Sequence, residues 1–317
     1  MIEAKNLVKK YGDTLALDGV SFAFEKGRVY GFLGPNGAGK STTMNILTGC
    51  LAATEGEVTV NGFDIYADAK KAKSFVGYLP EQPPLYVDMT PVEYLLYVGR
   101  AKGLRGEALY RDVDEVIRRT SLLKVRDRLI KNLSKGYKQR VGIAQALVGN
   151  PEVIILDEPT VGLDPKQIIE IRNLIRNLGK THTVILSTHI LSEVQSVCDR
   201  IIIINEGKIV ADEKTENIAQ VVEDNRRYTV KICGPQREVI SSLRGIPGVS
   251  RVDATGEREL DSYTYLIESQ PGVDIRKPLF YAMSKEGRPI IGLEAAQMNL
   301  EEVCSRIMEK AEDGGKR

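Results

Sequence analysis

The octapeptide GPNGAGKS at 34–41 constrains this chain more than any other stretch. It satisfies G-x-x-x-x-G-K-[ST] at every fixed position. RVYGFLG, just before it, reads as a short apolar strand of the kind buried in a parallel sheet. KSTTMNILTGCL, just after it, spaces Met44, Leu47 and Leu51 along one helix face. In a strand–loop–helix of this kind, glycines let backbone N–H groups close around phosphate oxygens. Lys40 adds charge at the β and γ phosphates, and Ser41 offers a hydroxyl to Mg²⁺. The expected cradle is Gly34, Pro35, Asn36, Gly37, Ala38, Gly39, Lys40, Ser41 and Thr42, with ATP and Mg²⁺ as its ligands. A glycine-rich loop without phosphate is the bland alternative, and the Lys-Ser pair behind an apolar strand argues against it.

Further along, VIILDEP (153–159) and TVILSTH (183–189) read as two more buried strands, separated by a helix from about Pro165 to Leu178. Asp157, at the end of the first, places a carboxylate where Mg²⁺ needs an oxygen ligand. Glu158 faces the position of an attacking water and is the candidate general base. His189 ends the second strand, on the side of an α/β sheet where ligands bind, and could hydrogen-bond a γ-phosphate. The other histidine, His182 in GKTHT, is expected in an exposed turn. The early segments are also strands: Val20, Phe22 and Phe24 alternate, and EVTVNG runs into an Asn-Gly turn. RIIII and KIVAD form a closing hairpin around Asn205–Gly207, and residues 90–150 are helical in pattern. Together these make an α/β sheet domain with a helical insertion.

LSKGY at 133–137 opens another helix, so Ser134 and Gly136 form a second place suited to an anion. One chain has no use for two such sites on one nucleotide. Two chains packed head to tail do, because Ser134 and Gly136 of one can cap the γ-phosphate held by Lys40 of the other.

The ordered set of phosphate loop, LSKGY before QRV, ILDEPTVGLDP and STH resembles the nucleotide-binding domain of ABC ATPases over residues 1–220. The resemblance implies a P-loop NTPase fold with a mixed sheet core and a helical subdomain at about 80–150. It implies that Tyr11 stacks on adenine and that Asp164 couples two sites across a homodimer. The family signature is usually LSGGQ, and Lys135 and Tyr137 depart from it. The family also has a glutamine after GYLP; here Glu81 and Gln82 follow, either of which could serve there, with Glu81 favoured by its position and able to meet Mg²⁺ or water. GYLPE-x-x-PLY, LSKGY and an extension ending in NLEEV are similar to ATPases of ABC-2-type exporters. That likeness implies separate transmembrane permease subunits and a place on the cytoplasmic face of the membrane. The surface for the permease would be drawn from Leu85, Tyr86, Met89, Tyr94, Leu95 and Tyr97, about half of which are expected only to pack the helical subdomain.

Composition sets the limits. Net charge is +1, giving no electrostatic case for nucleic acid. The longest aliphatic run, Ile201–Ile204, is far short of the roughly 20 apolar residues of a membrane span. Cys50, Cys198, Cys233 and Cys304 are scattered without a C-x-x-C pair and are expected to be reduced. A non-transport ABC ATPase is the rival reading. Such chains usually bring a coiled-coil insertion, zinc cysteines or tandem cassettes, and this sequence has none of them. Residues 222–317 read as β-α-β-β-α-β, a small α+β ferredoxin-like accessory domain, followed by a helix over LEEVCSRIMEKAE.

Overall fold

Two sheets and a set of helices surround the phosphate loop. β1 (Ile2–Tyr11) and β2 (Thr14–Phe24) pair with β4 (Glu55–Val60) and β5 (Phe63–Asp64) in an antiparallel sheet of order β2-β1-β4-β5. Val20, Phe22 and Phe24 alternate inward, as a period of two residues requires. β3 (Val29–Leu33) lies inside a second sheet with β6 (Val76–Leu79), β7 (Val153–Asp157), β8 (Thr183–Thr188), β9 (Arg200–Asn205) and β10 (Lys208–Lys214). Its order is β10-β9-β3-β8-β7-β6; β10 is antiparallel and the other neighbours are parallel. Every residue of β3, β7 and β8 is buried, which explains their unbroken apolar runs. Phe24, Phe32, Met44, Val60, Ile155 and Ile202 belong to one core that joins the sheets through α1 (Lys40–Leu47). Leu51 falls beyond that helix and packs, partly buried, against the same core. The computed structural model describes residues 1–218, 227–259, 261–296 and 303.

Between β5 and β7 the chain is mainly helical: α2 (Ala69–Ser74), α3 (Pro91–Ala101), α4 (Gly106–Arg119) and α5 (Lys135–Leu147). α3 starts on a capping box, in which the Glu93 N–H donates to Thr90 Oγ1 and the Thr90 N–H donates to the Glu93 carboxylate. Pro91 sits in the first turn, where its missing N–H costs nothing. α4 buries Leu109, Val113, Val116 and Ile117 at helical spacing. The surface expected for a permease is only partly exposed. Tyr94 and Leu95 are buried in the α3 packing, Leu85 and Met89 are half-buried, and Tyr86 and Tyr97 are exposed. Tyr86 meets Tyr94 and Tyr97 edge-on, with ring centroids 5.9 and 5.3 Å away. Burial pushes the Tyr94 hydroxyl up to about 12. α6 (Pro165–Leu178) and α7 (Leu191–Val197) flank β8 in sequence.

The chain divides into two compact units, Met1–Thr215 and Glu216–Arg317. In the second, β11 (Arg227–Cys233), α8 (Gln236–Arg244), β12 (Val249–Glu259), β13 (Ser262–Ser269), α9 (Arg276–Lys285) and β14 (Ile290–Ala296) follow in order. The four strands form an antiparallel sheet ordered β12-β13-β11-β14. Tyr228, Val230, Ile232, Val239, Tyr265 and Leu279 are part of its own core. Apart from the buried Val303, the helix expected over LEEVCSRIMEKAE lies outside the described residues, as does Cys304. Cys50, Cys198 and Cys233 are free thiols. Among the described residues no helix is long and apolar enough to cross a membrane.

Candidate active site

Parallel register brings the candidate residues to one edge. Leu33 of β3 pairs with Thr188 of β8, and Asp157 of β7 pairs with Ser187. The phosphate loop, the Asp157–Glu158 pair and His189 therefore all emerge from the carboxyl ends of adjacent strands, where open α/β sheets bind ligands. Gly39 caps α1 at φ +105°, with no side chain accepting from the N–H groups of the first turn. A Cβ there would sit 2.8 Å from the Ala16 carbonyl oxygen, so the loop needs glycine. Lys40 is buried; its Nζ donates to the carbonyls of Gly34 (2.9 Å) and Pro35 (3.2 Å) and lies 3.5 Å from Glu158 Oε1.

Asp157 is buried and accepts a hydrogen bond from the Ser187 hydroxyl. Glu158 has φ +47°, uncommon for a residue with a side chain, and its N–H donates to the Ser187 carbonyl at 3.1 Å. His189 Nδ1 lies 3.0 and 3.1 Å from the two Glu158 carboxylate oxygens, close enough to donate its proton there. A cavity of about 470 Å³ is lined by Asn36, Gly37, Gly39, Lys40, Ser41, Thr42, Glu81, Glu158 and His189. Ala16 and Val161 line it as well, and nothing in their residue types flags them. Glu81, not Gln82, reaches this cavity. Gln82 is exposed outside it, and so is Tyr11, beneath the Lys9 ammonium at 5.2 Å from its ring centroid. Among the described residues no group of three His, Cys, Asp or Glu side chains could hold a metal alone. Of the three residues expected to meet Mg²⁺, Ser41 and Glu81 line the cavity, whereas Asp157 is buried, bonded to Ser187, and does not line it; all three offer oxygen, the donor type a hard cation takes.

Ser134, Gly136 and Asp164 lie elsewhere, around a separate cavity of about 740 Å³. Ser134 caps α5 by accepting from the Tyr137 N–H at 3.4 Å, and Asp164 caps α6 by accepting from the Gln167 N–H at 2.9 Å. A Cβ on Gly136 would come 2.6 Å from the Gln167 side chain. Within one chain, then, these residues do not share a cavity with Lys40.

His182 overturns the exposed-turn expectation, being only 4% exposed. Its Nδ1 is 2.8 Å from the Pro151 carbonyl and its Nε2 is 2.8 Å from Arg119 Nη2. Arg119 can only donate, so Nε2 accepts and the ring is neutral with its proton on Nδ1. Burial holds its pKa below the usual histidine value, and the Arg119 charge acts in the same direction. Its partners are far away in sequence, so the local turn pattern gave no sign of this enclosure.

Residues 17–161 match the ABC transporter family. Over 254 residues the chain is 35% identical to the linearmycin resistance ATP-binding protein LnrL of Bacillus subtilis (strain 168), covering 80% of this chain and 81% of that one. The Nod factor export ATP-binding protein I of Burkholderia orbicola (strain AU 1054) is 31% identical over 311 residues, or 96% of both chains. Among solved structures, a dimeric ATP-binding cassette in a post-hydrolysis state with ADP and Pi matches with a TM-score of 0.62 at 29% identity. That match covers 68% of this chain and 99% of the other. The chain belongs to the ATP-binding subunits of ABC transporters, which hydrolyse ATP for transport.

Proposed function

We propose that the chain is the ATPase of an ABC-2-type exporter, acting as a homodimer on the cytoplasmic face of the membrane beneath separate permease subunits. One observation carries this reading: Lys40, Ser41, Glu81, Glu158 and His189 converge on one cavity, while Ser134 and Gly136 face another. A second copy packed head to tail would bring the two halves together around ATP. Export is favoured by the relative named for Nod factor export, whose likeness runs through nearly the whole chain.

In this mechanism the loop N–H groups and the Lys40 ammonium neutralise charge on the phosphates, and Tyr11 stacks on adenine. Glu158 takes a proton from water as the water oxygen bonds to the γ-phosphorus. The bond from that phosphorus to the bridging oxygen breaks, leaving ADP and phosphate. His189, held by Glu158, hydrogen-bonds the γ-phosphoryl group. Ser41, Asp157 and Glu81 would hold Mg²⁺, which when bound offsets phosphate charge. Ser134 and Gly136 cap the γ-phosphate of the other copy, and Asp164 couples the two sites. Tyr86 and Tyr97 offer the permease an exposed aromatic surface.

The nucleotide-binding domain takes residues 1–220 in this reading, and residues 222–317 form an accessory domain. The β-α-β-β-α-β order and antiparallel sheet support a ferredoxin-like assignment for it, with a role in stabilising the dimer or regulating the ATPase. The deciding experiment is a sizing column with the Glu158→Gln chain, with and without ATP–Mg²⁺. Conversion of monomer to dimer by ATP, abolished by adding Ser134→Arg, is the expected result. Tight ATP binding by a chain that stays monomeric would remove the shared-site mechanism for the isolated subunit.

A further inference from the structure

Glu193 is a buried acid that the mechanism above does not use. It lies in the first turn of α7, 1% exposed, and does not line the nucleotide cavity. Its two carboxylate oxygens have separate partners. Oε1 accepts from the Thr160 hydroxyl at 2.6 Å, and Oε2 accepts from the Thr188 hydroxyl at 2.9 Å. Thr160 stands two residues after Glu158, and Thr188 immediately precedes His189. Because Glu158 and His189 are themselves hydrogen-bonded, the contacts close a ring: Glu158, His189, Thr188, Glu193, Thr160 and back through Pro159.

We propose that Glu193 is a positioning residue for ATP hydrolysis, holding the Glu158 loop and the His189 strand end in one fixed relation. The inference rests on Glu158 as general base and His189 as its partner at the phosphate. Two physical arguments support it. Removing a carboxylate from water is unfavourable unless it is paired and hydrogen-bonded. Here two hydroxyls and Arg172, whose Nη2 is 3.6 Å from Oε1, converge on the one group. Glu158 also occupies a left-handed backbone conformation, which persists only where the surroundings over-determine it. The surroundings supply a clamp on each side: Ser187 holds the Glu158 N–H, and Glu193 holds Thr160. On the other arm, the Thr188 hydroxyl also accepts from the Ile190 N–H at 3.2 Å, shaping the chain on both sides of His189.

The test uses the full chain with Glu193→Ala, Glu193→Gln, Thr160→Val and Thr188→Val. It measures kcat, KM for ATP, ATP-binding stoichiometry and the imidazole NMR signals. With only two histidines, a His182→Gln variant assigns the spectrum. Glutamine can accept from one hydroxyl through its oxygen and donate to the other through its NH2, whereas alanine serves neither. Glu193→Ala, Thr160→Val and Thr188→Val should each lower kcat roughly 10- to 100-fold while KM stays within about two-fold, as expected when orientation and not binding is lost. Glu193→Gln should recover most of the rate, and the His189 signal should move in the three impaired variants. If turnover per folded molecule and the His189 signal stay as in the parent while only the melting temperature falls, Glu193 is structural and the proposal is overturned. Should Glu193→Ala not fold, the two valine variants decide by the same criteria. Undiminished turnover by Glu158→Gln would instead remove the base assignment, and the His189 signal would still report on Glu193.

Discussion

Two helix openings in this chain treat the N–H groups of their first turns differently. α1 begins at a glycine in a left-handed conformation, with no side chain accepting from the N–H groups of its first turn. α5 begins at Ser134, whose hydroxyl already accepts from the Tyr137 N–H. The first leaves backbone donors for an incoming phosphate, whereas the second satisfies part of its own need and is a sound helix start with no ligand at all. A helix opening therefore does not by itself announce a binding site. What separates the two is whether the chain has already supplied the acceptor.

The largest effect should come from the α1 side. Glu158→Gln is expected to lower kcat by roughly 10²- to 10⁴-fold, the span of general-base catalysis, with ATP still bound in a filter or calorimetric assay. Next, Gly39→Ala should weaken ATP binding severely, because its Cβ meets a backbone oxygen that cannot move aside. Gly136→Ala is the counterpart: its obstacle is the flexible Gln167 side chain, so calorimetry on the monomer should find ATP affinity little changed. Equal losses from both alanines would erase the distinction drawn above. Ser134→Ala should cost about 1 kcal/mol of stability in urea denaturation, the usual loss of a helix cap, without altering ATP affinity of the monomer.

The smallest effect concerns His182. Its folded pKa lies below the ordinary value, so as pH falls through about 6.5 the unfolded chain gains a proton that the folded chain refuses. Stability is therefore full above that pH and declines as pH drops toward the folded pKa. His182→Gln should flatten this decline, measured as the difference between urea midpoints at mildly acidic and neutral pH.

Contiguous patterns made much of the first unit readable. The strands at 29–33, 153–157 and 183–188 are apolar runs because both faces are covered, and the phosphate loop is punctuated by glycines. What escaped the sequence depends on partners distant along the chain. His182 is enclosed by Pro151 and Arg119. Glu193 reads as an ordinary helical glutamate until Thr160, Thr188 and Arg172 are seen around it. Of the adjacent pair Glu81 and Gln82, composition could not say which reaches the cavity; the backbone after β6 decides. Aromatic and aliphatic residues serve interfaces and cores alike, so the pattern around 85–97 could not say which of them pack; α3 turns Tyr94 and Leu95 inward.

The parallel register also governs how a chain like this can change over generations. Asp157 faces Ser187 across the sheet, and Glu158 is the first residue past the strand. Loss of a single codon within 153–157 would carry Glu158 into the place of Asp157 and Pro159 into the place of Glu158. A carboxylate would give way to a ring that can neither take nor return a proton. Point substitution can thus adjust this edge of the sheet by degrees, but insertion or deletion inside its strands cannot. Variation in length is tolerated outside the strands, as in the helical stretch between β6 and β7.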